Sequence, residues 1–278
     1  MRFRALRSFP RAALAGALLA ALWLAPAQAE DALGPCFDGQ GSVKEVLDAC
    51  ADFIAKGTDD KKLLIRAHSV RAMGFSATGN LDAALEEMDA AVAIDPERAN
   101  SYFMRAAGYD AKQEYDKAIA DLDKAITLKG DDGDYYLLRG TVYSHKGELD
   151  KALADFDEKV RLNPKATNGY SSRGDVHRQR KEYDLSVADY TEVITLDPEH
   201  AKGYIDRGWV FVLKNDLDKA GADFDKALEL QNNDPSALVG RGVVKSRMGK
   251  PTDGHADLAL AQRLEPGIFE EIRKLGIE

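Results

Sequence analysis

From Ile65 to Ile268 the chain repeats itself every 34 residues, in six units that start at Ile65, Ala99, Gly133, Thr167, Ala201 and Pro235. A repeat of that length is one pair of helices that cannot bury its apolar face alone and must stack on the next pair. The fourth position holds His68, Tyr102, Tyr136, Tyr170, Tyr204 and Leu238, and the eighth holds Ala72, Ala106, Gly140, Gly174, Gly208 and Gly242. Residues four apart share a helix face, so each first helix presents one bulky and one small side chain together. The twentieth position is Ala84, Ala118, Ala152, Ser186, Ala220 and Gly254, and the twenty-fourth is Met88, Leu122, Phe156, Tyr190, Phe224 and Leu258. Alternating bulky and small positions let two antiparallel helices approach closely.

The punctuation follows the same period. Asp82, Asp116, Asp150, Asp184 and Asp218 recur where the second helix begins and are expected to cap its exposed N–H groups. Pro96, Pro164, Pro198 and Pro266 close four units, and Gly130 and Asn232 close the other two. With Tyr136-x-x-Arg139-Gly140-x-x-Tyr143, then Ala152-x-x-x-Phe156, then Pro164, the units resemble tetratricopeptide repeats, of the exported bacterial type. The resemblance implies an all-α superhelical solenoid of antiparallel helix pairs with N- and C-terminal capping helices. It also implies a concave groove, lined by the first helices, that binds peptides.

The seventh position is arginine in every unit and the twenty-third is always acidic. Arg105 with Asp121, Arg139 with Asp155, Arg173 with Asp189 and Arg207 with Asp223 are expected to form a structural ladder of charge-assisted pairs between facing helices. An anion-binding arginine stripe is the alternative, disfavoured because the acids recur as faithfully as the arginines. Lys159 replaces the alanine usual at the twenty-seventh position and reads as a tolerated substitution whose ammonium snorkels to water along its own stem; the alternative is a softened joint between the units at Gly133 and Thr167.

Residues 1–29 carry Arg2, Arg4, Arg7 and Arg11 with no acid, then an apolar run from Ala12 to Ala25, then Ala27-Gln28-Ala29. This is the three-part pattern of a signal peptide, too short and alanine-rich to span a bilayer comfortably; an uncleaved anchor or a transit peptide is the rival reading. Cleavage is expected to release a periplasmic or secreted protein with no integral membrane segment. The segment holds four of the 38 basic residues and none of the 47 acidic ones, so the rest is more acidic than the net −9 of the whole chain. Such a surface repels nucleic acid, which is not expected as a partner. Cys36 and Cys50 are the only cysteines. In an oxidising compartment they are expected to form a disulfide, with two buried thiols as the alternative.

The ends depart from the repeat. Residues 30–64 read as a half repeat: Ser42-Val43-Lys44-Glu45 supplies a capping box, an apolar helix follows, and Cys36 tethers the preceding loop over it. Residues 269–278 read as a capping helix, with Ile268, Phe269, Ile272 and Leu275 on one stripe.

Function is expected in the groove. Phe103, Met104, Leu137, Ile205, Trp209, Val212 and Val243 project onto its apolar stretches, with Trp209 as the preferred anchor, while Asn168, Ser171, Ser172, Asp175 and Arg178 form a polar waist. Each apolar residue has an alternative place against a neighbouring helix. The positions that family members use to clamp a C-terminal carboxylate are not matched. His68, His145, His177, His200 and His255 are scattered without metal-ligand spacing, and no phosphate loop or nucleophile elbow occurs. The expectation is a non-catalytic scaffold or adaptor of the cell envelope that binds proteins or peptides, without metal or cofactor. The alternative is a carrier of a small non-protein envelope ligand, a peptidoglycan or glycan fragment.

Overall fold

The computed structural model describes residues 34–274, which are helical in 15 segments with no strand among them. The segment expected to be a signal peptide and Leu275 lie outside the described residues. The chain divides into two compact units after Glu148. The first holds α1 (Pro35–Asp38), α2 (Val43–Lys56), α3 (Lys61–Ala77), α4 (Leu81–Ile94), α5 (Ala99–Ala111), α6 (Tyr115–Leu128) and α7 (Gly133–Lys146). The second holds α8 (Leu149–Leu162), α9 (Thr167–Gln179), α10 (Tyr183–Leu196), α11 (Ala201–Leu213), α12 (Leu217–Leu230), α13 (Pro235–Arg247), α14 (Pro251–Leu264) and α15 (Ile268–Lys274). Within each unit every helix packs on its neighbours in the chain, so helix pairs stack in sequence order as a solenoid requires.

One backbone device ends the first helix of every repeat. Gly79, Gln113, Gly147, Lys181, Asn215 and Gly249 share one repeat position and all have positive φ, between 59° and 84°. The next residue then donates its N–H back into the last helical turn: Glu114 N to Tyr109 O at 2.9 Å, Glu182 N to His177 O at 2.8 Å, Asp216 N to Phe211 O at 2.9 Å. This αL termination satisfies a helix-end carbonyl and stops the helix. Glycine and asparagine adopt it at little cost, whereas Gln113 and Lys181 are strained there.

The recurring aspartates do not cap the second helices. Asp82, Asp116 and Asp184 sit one residue inside helices whose N-caps are Asn80, Glu114 and Glu182. Their exposed carboxylates instead meet a basic residue 30 positions later: Asp82 with Lys112, Asp116 with Lys146 at 2.8 Å, Asp150 with Arg180, and Asp184 with Lys214. The reason is one of position, since a carboxylate already inside the helix points outward to the following repeat.

The arginines are held on three sides. Arg105 donates from Nε and Nη2 to Asp121, both at 2.7 Å, and from Nη1 to Asp89 of the preceding repeat at 2.7 Å. Its guanidinium also lies 5.6 Å from the Tyr102 ring centroid. Arg173 repeats this with Asp189, Asp157 and Tyr170, and Arg241 with Asp257 and Asp225. Arg207 holds Asp223 but finds the Thr191 hydroxyl where the others find a second carboxylate. Arg139 reaches back to Asp123 in the first unit, and Asp155 lies buried in the second. Planar guanidinium forks suit this geometry, and such pairs orient helices more than they stabilise them.

The largest core cluster belongs to the second unit and centres on Phe224 of α12. Its ring fills the space left by two glycines on different helices: a Cβ on Gly208 would stand 3.0 Å from it and one on Gly240 only 2.3 Å. Helices α11 and α13 therefore both close on α12. Ile268 and Ile272 of α15 complete the cluster, as a terminal cap must. In the first unit the Cys36–Cys50 disulfide is present, with the cysteines' Cα atoms 4.7 Å apart, and brings Phe37 of α1 edge-on to Phe53, ring centroids 4.9 Å apart. The Ser42–Glu45 capping box starts α2. One short helical turn thus covers α2 where a full first helix is missing.

Lys159 does not reach out to water. The residue is 4% exposed, and its Cγ lies 2.9 Å from where a Cβ on Gly169 would stand, so the stem is packed under α9.

Candidate partner-binding site

The seven apolar residues expected in a groove fall into three environments. Phe103, Met104 and Leu137 belong to the first unit and are half-buried. Phe103 leans on Tyr135, ring centroids 5.3 Å apart, and Met104 packs toward the cluster around Ile65 and Met88. Leu137 is half-buried. In the second unit, Ile205, Trp209 and Val212 are core residues rather than groove anchors, with Trp209 only 2% exposed. Its ring meets Phe224 edge-on at 5.1 Å, and its indole N–H donates to Ser236 Oγ on α13 at 3.2 Å. The cause is Gly240: without a side chain there, α13 comes close enough to lie over the α11 face that would otherwise be open. Val243 packs half-buried against the same cluster.

The polar waist is a constructed cluster, and it is larger than its sequence suggested. Asp175 Oδ1 accepts from the Tyr190 hydroxyl at 2.8 Å and from Arg178 Nη2 at 3.0 Å. On α11, Lys202 Nζ donates to both oxygens of Asp206, each at 2.8 Å. Tyr190 is 1% exposed, and its hydroxyl is held against α9 by Asp175. Asn168 is exposed, while Ser171 and Ser172 are half-buried.

Burial governs the electrostatics here. It pushes the Tyr190 hydroxyl well above its ordinary range, reinforced by the charges of Asp175 and Asp206. Burial likewise raises the Asp206 carboxyl, an effect that Lys202 opposes and Asp175 adds to. Loss of hydration would lower Arg178, and to a lesser degree the exposed Lys202, but their carboxylate partners outweigh it and both stay raised. The charge of Asp175 adds to the upward shift of both members of the Lys202–Asp206 pair.

Tyr190, Lys202 and Asp206 were missed because each sits at a repeat position read as packing or as generic surface. A signal was present: Tyr190 is the only hydroxyl at its repeat position, and Asp206 the only acid at its own. Among the described residues no group of three His, Cys, Asp or Glu side chains is placed to hold a metal ion, and no helix is long and apolar enough to cross a membrane.

The tetratricopeptide repeat pattern matches residues 70–133, 103–167 and 172–235. No curated protein matches the chain. Among solved structures, the chain is similar to a tetratricopeptide repeat protein from Parabacteroides merdae, at 19% identity and a TM-score of 0.67, over 88% of this chain and 96% of that one. It is similar to YrrB, described as a TPR protein with an unusual peptide-binding site, at 24% identity and a TM-score of 0.52, over 69% and 97%. PilW, described as a widely conserved type IV pilus biogenesis factor, aligns at 16% identity and a TM-score of 0.65, over 76% and 96%. At these identities the likeness is one of fold.

Proposed function

The chain belongs to the tetratricopeptide repeat family, and from that premise we propose that it is a non-catalytic scaffold of the cell envelope that binds a protein or peptide on its first-helix faces. The observation that carries the reading is the exposure on those faces of polar groups that packing does not require: the side chains of Asp175 and Lys202 are 54% and 68% exposed although each is anchored at one end to a neighbour. Leu137 in the first unit adds a half-buried apolar contact. Fixed polar groups and apolar anchors are what peptide recognition uses. The envelope location is supported by the Arg-rich, apolar, Ala-x-Ala leader and by a buried disulfide, which persists in oxidising compartments.

The test is affinity capture from envelope extract with the chain and with a folded Leu137→Asp, Asp175→Ala, Lys202→Ala variant. A protein retained by the parent and lost by the variant supports the reading. Equal retention by both would move binding to the second-helix faces. A reporter enzyme active only outside the cytoplasm, fused after residue 29, tests export; an inactive fusion would overturn the location.

A further inference from the structure

We propose that the Cys36–Cys50 disulfide is a redox latch on the N-terminal cap. Closed, it holds α1 over α2 and α3; reduced, it releases α1 and opens the apolar face beneath. The latch lies wholly within the first unit and does not depend on the partner-binding reading.

The first support is how lightly the turn is otherwise held. α1 is four residues long, and its N-cap, Gly34, makes no side-chain hydrogen bond to it. A helix so short does not persist without tertiary contacts. Arg66 Nη2 donates to Phe37 O at 3.2 Å, its guanidinium lies 5.0 Å from the Phe37 ring centroid, and that ring meets Phe53 edge-on. Ordering the backbone of residues 34–41 costs entropy that one buried ring and the Arg66 contacts offset only in part. The covalent bond supplies the rest by keeping the two ends together.

The second support is the joint between α1 and α2. Gly39 and Gly41 have φ of 67° and 113°, values that glycine enters and leaves at little cost. Beyond them the Ser42–Glu45 capping box starts α2 without any help from α1. The turn can therefore lift about this joint while α2 stays wound.

The third support is what the turn covers. Cys36, Phe37, Cys50 and Ala67 are buried in one cluster, with Val46, Phe53 and Val70 half-buried against it. Lifting α1 turns this apolar face to water at an end of the array that otherwise has its cap.

Cys36 is 2% exposed and Cys50 0%, so a reductant reaches the bond only when α1 lifts, and the rate of reduction reports that opening. The reductant is a dithiol, free or carried by a thiol–disulfide oxidoreductase. One of its thiolates attacks Cys36 Sγ, the S–S bond breaks, and Cys50 Sγ leaves and takes up a proton. The second thiolate then closes the dithiol's own disulfide and frees Cys36 as a thiol. Two electrons and two protons pass to the protein. In an oxidising compartment the latch rests closed.

The experiment treats the folded chain with dithiothreitol at neutral pH without denaturant. Thiol alkylation, amide exchange, circular dichroism and the fluorescence of anilinonaphthalene sulfonate are followed together. Both cysteines should become alkylated with helix content kept, the dye should brighten, and reoxidation should reverse the change. The Phe37 and Asp38 amides, which bond to Gly34 O, should exchange about tenfold faster or more. Phe37→Ala loosens α1 but leaves the bond, and should speed reduction by about tenfold. A bond that resists reduction until the first unit unfolds, or an unchanged rate in Phe37→Ala, would overturn the latch. A reduced chain that keeps the slow amides and binds no dye would show a static staple instead. Loss of helix throughout the first unit on reduction would also overturn it, because the bond would then be holding up the fold.

Discussion

The Phe224 ring occupies the space that a Cβ on Gly240 would need, with Cε1 2.3 Å from that position. This contact sets how closely α13 approaches α12, and through it how completely Trp209 is covered. Gly240→Ala is expected to destabilise the second unit by about 1–3 kcal/mol, the usual cost of overpacking. Without residues 1–29, Trp209 is the sole tryptophan, so its emission should shift to the red and quench more readily with acrylamide. Phe224→Leu in the same chain should recover part of the loss; an unchanged spectrum in Gly240→Ala would show that α13 adjusts freely.

The two carboxylates that hold Arg105 are not equivalent. Asp121 is buried and takes two hydrogen bonds from Arg105, whereas the Asp89 side chain is 58% exposed and takes one. Asp89→Ala should cost under about 1 kcal/mol, as exposed pairs do. Asp121→Ala strands a largely buried guanidinium and should cost roughly 1–3 kcal/mol. Denaturant midpoints of the two variants decide it, and equal midpoints would count against the distinction.

Gln113 and Lys181 occupy the left-handed position that Gly79, Gly147 and Gly249 fill in other repeats. Gln113→Gly and Lys181→Gly are each expected to raise stability by about 0.5–1 kcal/mol, because relief of backbone strain exceeds the added entropy of the unfolded chain. Gly147→Ala should lower it by a similar amount. Thermal midpoints of the three single variants check the signs.

Asp257 links the last repeat to acid sensitivity. Burial pushes its carboxyl up, but hydrogen bonds from Arg241 and Lys245 outweigh that and hold it below the ordinary carboxylate range. A carboxylate lowered in the folded state adds stability that is present above about pH 4, where the unfolded group is ionised, and disappears as pH falls through the folded value. Asp257→Asn should therefore be less stable than the parent at pH 7, and the gap should close below pH 4. A constant gap across that range would show that the loss is one of packing alone.

The disulfide fastens α1 to α2 across a sequence separation of 14. Its removal by Cys36→Ala, Cys50→Ala should cost on the order of 3 kcal/mol by loop-closure entropy. Because repeat units contact chiefly their neighbours, the loss should appear as faster amide exchange in α2 and α3 with α13 and α14 unchanged. Uniform acceleration along the chain would contradict that locality.

Much of this protein was legible in its residues alone. The 34-residue period, the pairing of Arg105, Arg173 and Arg207 with the acids 16 residues on, the capping box of Ser42 and Glu45 and the pairing of Cys36 with Cys50 are local or strictly periodic, and patterning alone encodes such features. What lies between repeats was decided only in three dimensions. Trp209 has the same place in its repeat as Met73 and Asp175, yet it is core because Gly240, 31 residues on, admits α13. Asp82 and Asp116 looked like helix caps and turned out to be bridges to Lys112 and Lys146. Lys159 looked like a snorkelling surface lysine and lies under Gly169. Tyr190 joins Asp175 only because α9 and α10 pack together. Periodicity specifies which face of a helix turns inward. How near the next helix comes is set by ångström-scale contacts between side chains far apart in the chain, and those contacts decide which residues are buried and which stay open to a partner.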